Sequence, residues 1–273
     1  MGITALKTSG SEFGNSLRKW RQIKGFSQLD LALAAESSAR HVSFLETGRA
    51  KPSREMVLRL STAMDLPLRD RNRLLNDAGF RAAYAERPLQ GEGLDQVRRA
   101  LDYMLQQQEP YPAMVMNRCF DISMINHAGA KMMQALGFQL GGEAGPPNML
   151  RLALHPDGFR TVVKDWERTA RHMLHRAYRQ VNGQDAADPL QKILDEVLAY
   201  PGVPKDFAFE DPSHDALPVL PIELELNGLT LSWITTVASF GTPQDVTAQE
   251  IMVESMFPAN AETEAIVKAM SNT

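Results

Sequence analysis

The sequence predicts an α+β chain of two domains: an N-terminal domain of five short helices, then an antiparallel sheet with helices on one side. Three observations predict it. Through the first 80 residues apolar positions recur at helical spacing, and each run is broken by Gly or by a capping residue. From residue 113 short apolar runs read as strands, and the clearest alternation flanks Asn227-Gly228, a dipeptide suited to a two-residue hairpin because both turn positions need positive φ. Between these regions "AERPLQGEG" (85–93) has Pro, two Gly and no apolar periodicity, as a linker does.

In order along the chain, Phe13, Leu17, Trp20 and Ile23 form one helical face that Gly25 ends. Ser27 caps a second helix with Leu31, Ala32 and Ala35 inward. Ser37-Ser38 caps a third with Val42 and Leu45 inward, stopped by Gly48. Pro52-Ser53 opens a fourth with Met56, Val57, Leu60 and Met64 on one face, and Pro67 opens a fifth that ends at Gly79. The predicted boundaries are a helical domain at 1–84, a linker and bridging helix at 85–108, and a sheet domain at 109–273. Within the last, strands are expected at 113–117, 120–126 and 249–257, a hairpin within 217–241, and helices at 127–137, 157–181 and 187–199. Residues 141–148 read as a loop.

At 273 residues, with 44% apolar and 23% charged content, the chain has ordinary globular composition and room for two cores. No apolar run approaches the ~20 residues that cross a bilayer, so no membrane partner is expected. The N-terminus lacks a basic stretch followed by an apolar one, so no secretory signal is expected, and the expected compartment is the cytoplasm. Cys119 is the only cysteine and reads as a small core residue. The net charge of −4 divides unevenly: residues 1–84 carry +6 and the remainder −10. A basic first third on an acidic chain suggests that this part meets a polyanion.

The cations surround "SQLDLALAAESSARHVSFLETGRAKPS" (27–53), two short helices about a tight turn. That is the helix-turn-helix pattern, in which the second helix enters the DNA major groove. Val42 and Leu45 point inward, whereas Ala39, Arg40, Ser43 and Phe44 point outward; an outward Phe44 can pack on a thymine methyl. The stretch "LRKWRQIKGFSQLDLALAAESSARHVSFLETGRAKPSREMV…RNRLLNDAGF" resembles the DNA-binding domain of XRE-type (Cro/phage-repressor-like) regulators. Downstream, "FDISMINHAG", "PPNMLRLALHPDGFR", "DWERTARHML" and "TPQDVTAQEIMVESMFPA" resemble the MmyB-like ligand-binding domain, which has a PAS-like fold. The resemblance implies a sequence-specific regulator that binds double-stranded DNA, expected to act as a homodimer. It implies that Gln28 and Ser38–Arg40 sit at the groove, with Gln28 anchoring a phosphate and Arg40 reading a base. It also implies that Arg49 and Lys51 meet phosphates, and that Arg21 and Glu46 form a structural ion pair. Family members usually carry Gly in the turn where this chain has Glu36, and a non-Gly residue in a left-handed conformation costs ~1 kcal/mol.

In the second domain six methionines fall within 114–149: Met114, Met116, Met124, Met132, Met133 and Met149. They suit either an irregular core or a cavity for a small apolar, acyl- or fatty-acid-like ligand. Phe159, Trp166, Met173 and Trp233 are candidate walls, and Asn126, His127 and Arg160 candidate head-group contacts. No Gly-rich phosphate loop is present, and neither a cofactor nor a metal is demanded. The alternatives are a protein partner, or haem or flavin with His155, His172 or His175 as axial ligand. An enzyme is not expected: Ser213-His214-Asp215 are adjacent and cannot adopt triad geometry, and His172 with His175 lack an evident third metal ligand.

Overall fold

The structure is a computed structural model. It describes residues 11–138, 145–181, 188–207, 219, 221–226 and 228–271. The expected Ser213-His214-Asp215 cluster, Asn227 and part of the 141–148 loop lie outside the described residues. The chain divides into two compact units, one of Met1–Pro88 with Thr242–Gln249, the other of Leu89–Gly241 with Glu250–Thr273.

The first unit holds α1 (Glu12–Ile23), α2 (Gln28–Ala34), α3 (Ala39–Glu46), α4 (Arg54–Ala63) and α5 (Leu68–Asp77). Four of these start on a serine whose hydroxyl accepts an otherwise orphaned amide N–H: Ser11, Ser27, Ser38 and Ser53. Ser27 and Asp30 complete a reciprocal capping box. Of the inward residues expected from the periodicity, Leu17, Leu31, Val42, Leu45, Val57 and Leu60 are fully buried in one core, whereas Met56 is only partly buried and Ile23, at the last turn of α1, is 51% exposed. Glu36 takes a left-handed conformation, φ +50°, between α2 and α3. Its carboxylate faces Arg59 at 3.6 Å, with both side chains exposed.

The sequence places 242–249 in the sheet domain, but these residues pack with the first unit. Gln249 Oε1 accepts from Leu68 N at 2.6 Å, Asp245 pairs with Arg87 at 2.9 Å, and Val246 N donates to Ala85 O at 2.8 Å. Spatial neighbours more than 150 residues apart leave no trace in local periodicity.

The second unit holds α6 (Asp95–Gln108) and a six-stranded antiparallel sheet in the order β2-β1-β6-β5-β4-β3. Its strands are β1 (Ala113–Met116), β2 (Ile122–Ile125), β3 (Val163–Lys164), β4 (Ile222–Leu226), β5 (Leu229–Ala238) and β6 (Met252–Pro258). α7 (His127–Ala135), α9 (Trp166–Tyr178) and α10 (Pro189–Leu198) follow the expected order, and α8 (Met149–Leu154) is a helix the periodicity did not announce; α11 (Val246–Glu250), nearly all of it in the first unit, precedes β6 and α12 (Ala261–Ser271) follows it. The helix at 95–108, expected to bridge two domains, belongs to this unit: Leu101 and Leu105 pack on Ala113, Val115 and Val253. Those strand residues face opposite to Met114, Met116 and Met252, which join the core with α8, α9 and α10, so helices cover both sides of the sheet rather than one.

The helix expected over 157–181 begins only at Trp166. A Cβ at Gly158 would lie 2.0 Å from Leu152 O, so the chain passes close there as only glycine allows. Val163 and Lys164 then pair with Leu224 and Glu223, and Asp165 turns at φ +50° into α9. The β-branched Val162-Val163 pair favours that short edge strand.

Candidate nucleic-acid interface and ligand cavity

In α3 the arrangement follows from helical geometry. With Val42, Leu45 and Glu46 buried, Arg40 is driven outward and exposed, while Ala39 and Ser43 are partly exposed. Phe44 is only half-buried. It lies beneath two guanidinium groups, Arg40 at 5.2 Å and Arg49 at 5.9 Å from the ring centroid. The aromatic therefore holds both cations in place by cation–π attraction rather than standing alone in solvent. Arg49 reaches it because its amide, with that of Ala50, donates to Phe44 O just past the helix end. Lys51 follows, exposed. Among the described residues no carboxylate pairs with Arg40, Arg49 or Lys51, so their charge is available to an anion. Ser38 caps α3 by accepting from His41 N at 3.2 Å.

Gln28 is engaged within the protein: its Nε2 donates to Glu46 Oε2 at 2.8 Å. Glu46, whose side chain is 0% exposed, also receives Arg21 at 2.5 Å and the more distant Arg18 at 3.4 Å. Burial alone would push this carboxyl up. Hydrogen bonds from Arg21 and Gln28, with the charge of Arg21, outweigh it and hold Glu46 below the ordinary carboxylate range. The network ties α1 and the start of α2 to the end of α3, which fixes the exposed face of α3.

In the second unit a cavity of about 260 Å³ opens between the sheet and α7–α9. Methionines dominate its walls: Met114, Met132, Met133, Met149, Met173 and Met256. Phe120, Phe159 and Trp166 supply the aromatic surface. Its charged feature is an ion pair, Arg176 Nη1 to Glu254 Oε2 at 2.8 Å, with side chains 32% and 17% exposed; Thr169, Thr235 and His172, the last a candidate from sequence, add polar wall. Arg176 also lies 5.3 Å over the Phe120 ring.

Of the candidates from sequence, Met114, Phe159, Trp166 and Met173 line this cavity. Met116 is fully buried in the adjoining core and does not line it. Asn126 is committed to backbone: its Oδ1 accepts from Ala113 N and Gly129 N, and its Nδ2 donates to Tyr111 O. Arg160 stacks on Trp166 at 4.3 Å and donates to Pro201 O. His127 and Trp233 line a second cavity instead. Arg176 and Glu254 escaped the sequence reading, although a signal existed. In "MVESM" Glu254 shares strand parity with Met252 and Met256, so an acid occupies a core-facing position. Cys119 has its thiol pushed up by burial, which disfavours the reactive thiolate.

A helix-turn-helix unit whose second helix and following turn expose cations that no described carboxylate pairs with, joined to an α+β unit built round a cavity, defines a DNA-binding transcriptional regulator with a ligand-binding domain. Residues 97–270 match the MmyB-like transcription regulator ligand binding domain, and residues 17–70 match the helix-turn-helix family of XRE type. The chain belongs to the MmyB-like transcription regulators.

Among solved structures, it is similar to the restriction-modification controller protein C.AhdI from Aeromonas hydrophila, at 34% identity over 22% of this chain and 92% of that one, TM-score 0.22. It is also similar to the clp gene regulator ClgR from C. glutamicum, at 29% identity over 25% of this chain and 86% of that one, TM-score 0.23. An RNA-binding light-oxygen-voltage receptor aligns at 10% identity over 96% of this chain and 62% of that one, TM-score 0.29. No curated protein matches the chain. Among the described residues no helix is long and apolar enough to cross a membrane.

Proposed function

We propose that this regulator binds its operator through α3 and adjusts that binding when the methionine-lined cavity takes an apolar or acyl-type small molecule. The observation that carries this is the pairing of that cavity with Arg176 and Glu254. Flexible, polarizable walls accommodate a hydrocarbon, and one ion pair at the edge gives a carboxylate or hydroxyl head group a partner. On the DNA side, Arg40 offers a guanidinium to guanine O6 and N7, with Ala39, Ser43 and Phe44 beside it, while Arg49 and Lys51 hold phosphates. Gln28 and Ser38 support that face. The protein acts as a homodimer on two half-sites about one helical turn, roughly 34 Å, apart.

The chain's path supports the coupling. It leaves the second unit after β5, contributes 242–249 to the first, and returns as β6, which carries Glu254 and Met256 of the cavity wall. The test uses protein stripped of lipid, titrated with decanoate. Decanoate raises the thermal midpoint and shifts operator affinity by about 1–3 kcal/mol of coupling. Thr235→Phe, on the cavity wall, abolishes both effects. Arg40→Ala costs about 1–3 kcal/mol on the selected operator and relaxes one base position, whereas Lys51→Ala weakens all sequences alike. Stripped protein indifferent to every fatty acid tried, in both stability and operator binding, refutes the ligand reading; an Arg40→Ala protein with unaltered operator preference refutes the DNA reading.

A further inference from the structure

The second cavity, about 400 Å³, lies beside the first on the same face of the sheet. Register establishes this: Trp233 and Leu231, which line it, pair with Ile222 and Leu224, which line the first. Met132 belongs to both walls. The interior is apolar, made by Pro112, Leu226, Leu231 and Val267 around the Trp233 indole, with Ala135 exposed at its mouth.

Trp233 is 1% exposed, and its Nε1–H has no acceptor among the described residues. Indole is a donor only, and buried donors in native proteins are almost always matched. Charge at the edge is nearly balanced: Lys131 and His127 are exposed there, and the Glu109 carboxylate already accepts from His127 N and Ala128 N at the start of α7. Nothing in the interior compensates a buried anion.

We infer that this cavity is a second ligand site, for a compact apolar molecule bearing one uncharged carbonyl oxygen that accepts from Trp233 Nε1. Met132, as the shared wall, makes occupation of one chamber felt in the other. The site stands independently of what the first cavity binds.

The experiment uses the full chain labelled with ¹⁵N, which has three indole N–H groups, those of Trp20, Trp166 and Trp233. Trp166 already donates to Ala153 O in the wall of the first cavity, so it serves as that chamber's reporter. The probes are acetophenone and ethylbenzene, alike in size but differing in the carbonyl. Acetophenone is expected to move the Trp233 indole proton downfield, and Trp233→Phe to weaken acetophenone about three- to tenfold, the worth of one hydrogen bond. Ethylbenzene is expected to bind wild type and variant alike. A Trp233 signal that never moves overturns the proposal, as does one that moves equally with both probes, or movement of Trp166 alone. Should Trp233→Phe fail to fold, Ala135→Phe covers the chamber's mouth from α7. It is expected to stop acetophenone from shifting Trp233 while decanoate still shifts Trp166, and an undiminished acetophenone shift would overturn the assignment.

Discussion

Arg21, Gln28 and Arg18 converge on one buried carboxylate, Glu46, from two helices. Its folded-state pKa lies below the ordinary value of 4.5. A depressed carboxylate contributes stability that is full above its unfolded pKa and is lost as pH falls through the folded one. Glu46→Gln is therefore expected to cost about 1.5–3 kcal/mol at pH 7, the worth of hydrogen bonds to a charged group. The gap to wild type should narrow as pH drops below the ordinary carboxylate value. Urea unfolding of both proteins across that range checks it, and a gap independent of pH would show that the charge does not matter. The Arg21–Glu46 pair was legible through the family resemblance. The bond from Gln28 was not, because an amide 18 positions away has many possible partners and only the packed helices choose among them.

Between elements, the approach of α1 to α3 is controlled by Gly14. A Cβ there would lie 2.7 Å from both Leu45 O and Glu46 O, which are backbone atoms of α3 and cannot swing aside. Ala in place of Gly ordinarily gains about 1 kcal/mol inside a helix. Here the clash is expected to outweigh that gain: Gly14→Ala should destabilise, and Gly14→Val should cost about 1–3 kcal/mol as overpacked sites do. Thermal unfolding of the two variants measures it; a stabilised Gly14→Ala protein would mean that α1 shifts freely. The five helices of the first unit were readable because each carries its own inward face and its own start or stop residue, a capping serine, a Pro or a Gly. The 157–181 segment misled because its polar and apolar residues alternate plausibly at helical spacing. The glycine approach at Gly158 and the pairing of β3 with β4 interrupt that pattern, and both depend on distant backbone.

At the scale of the whole molecule, the segment 242–249 interrupts the second unit's sheet in sequence and is held in the first by Gln249 on Leu68, Asp245 on Arg87 and Val246 on Ala85. If it carries the ligand's effect, loosening it separates response from binding. Gln249→Ala removes the acceptor for Leu68 N. It is expected to leave ligand-free operator affinity within about threefold, and decanoate stabilisation intact, while reducing the decanoate-induced change in operator affinity. Operator titrations with and without decanoate measure this, and an undiminished change would place the coupling elsewhere.

By itself the sequence determined the helix-turn-helix, its capping serines, the outward set on α3 and the β4–β5 hairpin. These depend on periodicity, on side chains bonding their own helix ends, and on charge counted over a stretch of chain, all of which are local. It also located a methionine excess that turned out to line a cavity in part: Met114, Met132, Met133 and Met149 face it, whereas Met116 and Met124 do not. Only tertiary structure decided that split, because strand parity and helix rotation send neighbouring methionines to different surfaces. It alone paired Arg176 with Glu254 across 78 positions, turned Asn126 into a backbone clamp, and left the Trp233 indole donor without an acceptor among the described residues. Those outcomes arise from contacts between elements whose order along the chain says nothing of their separation in space.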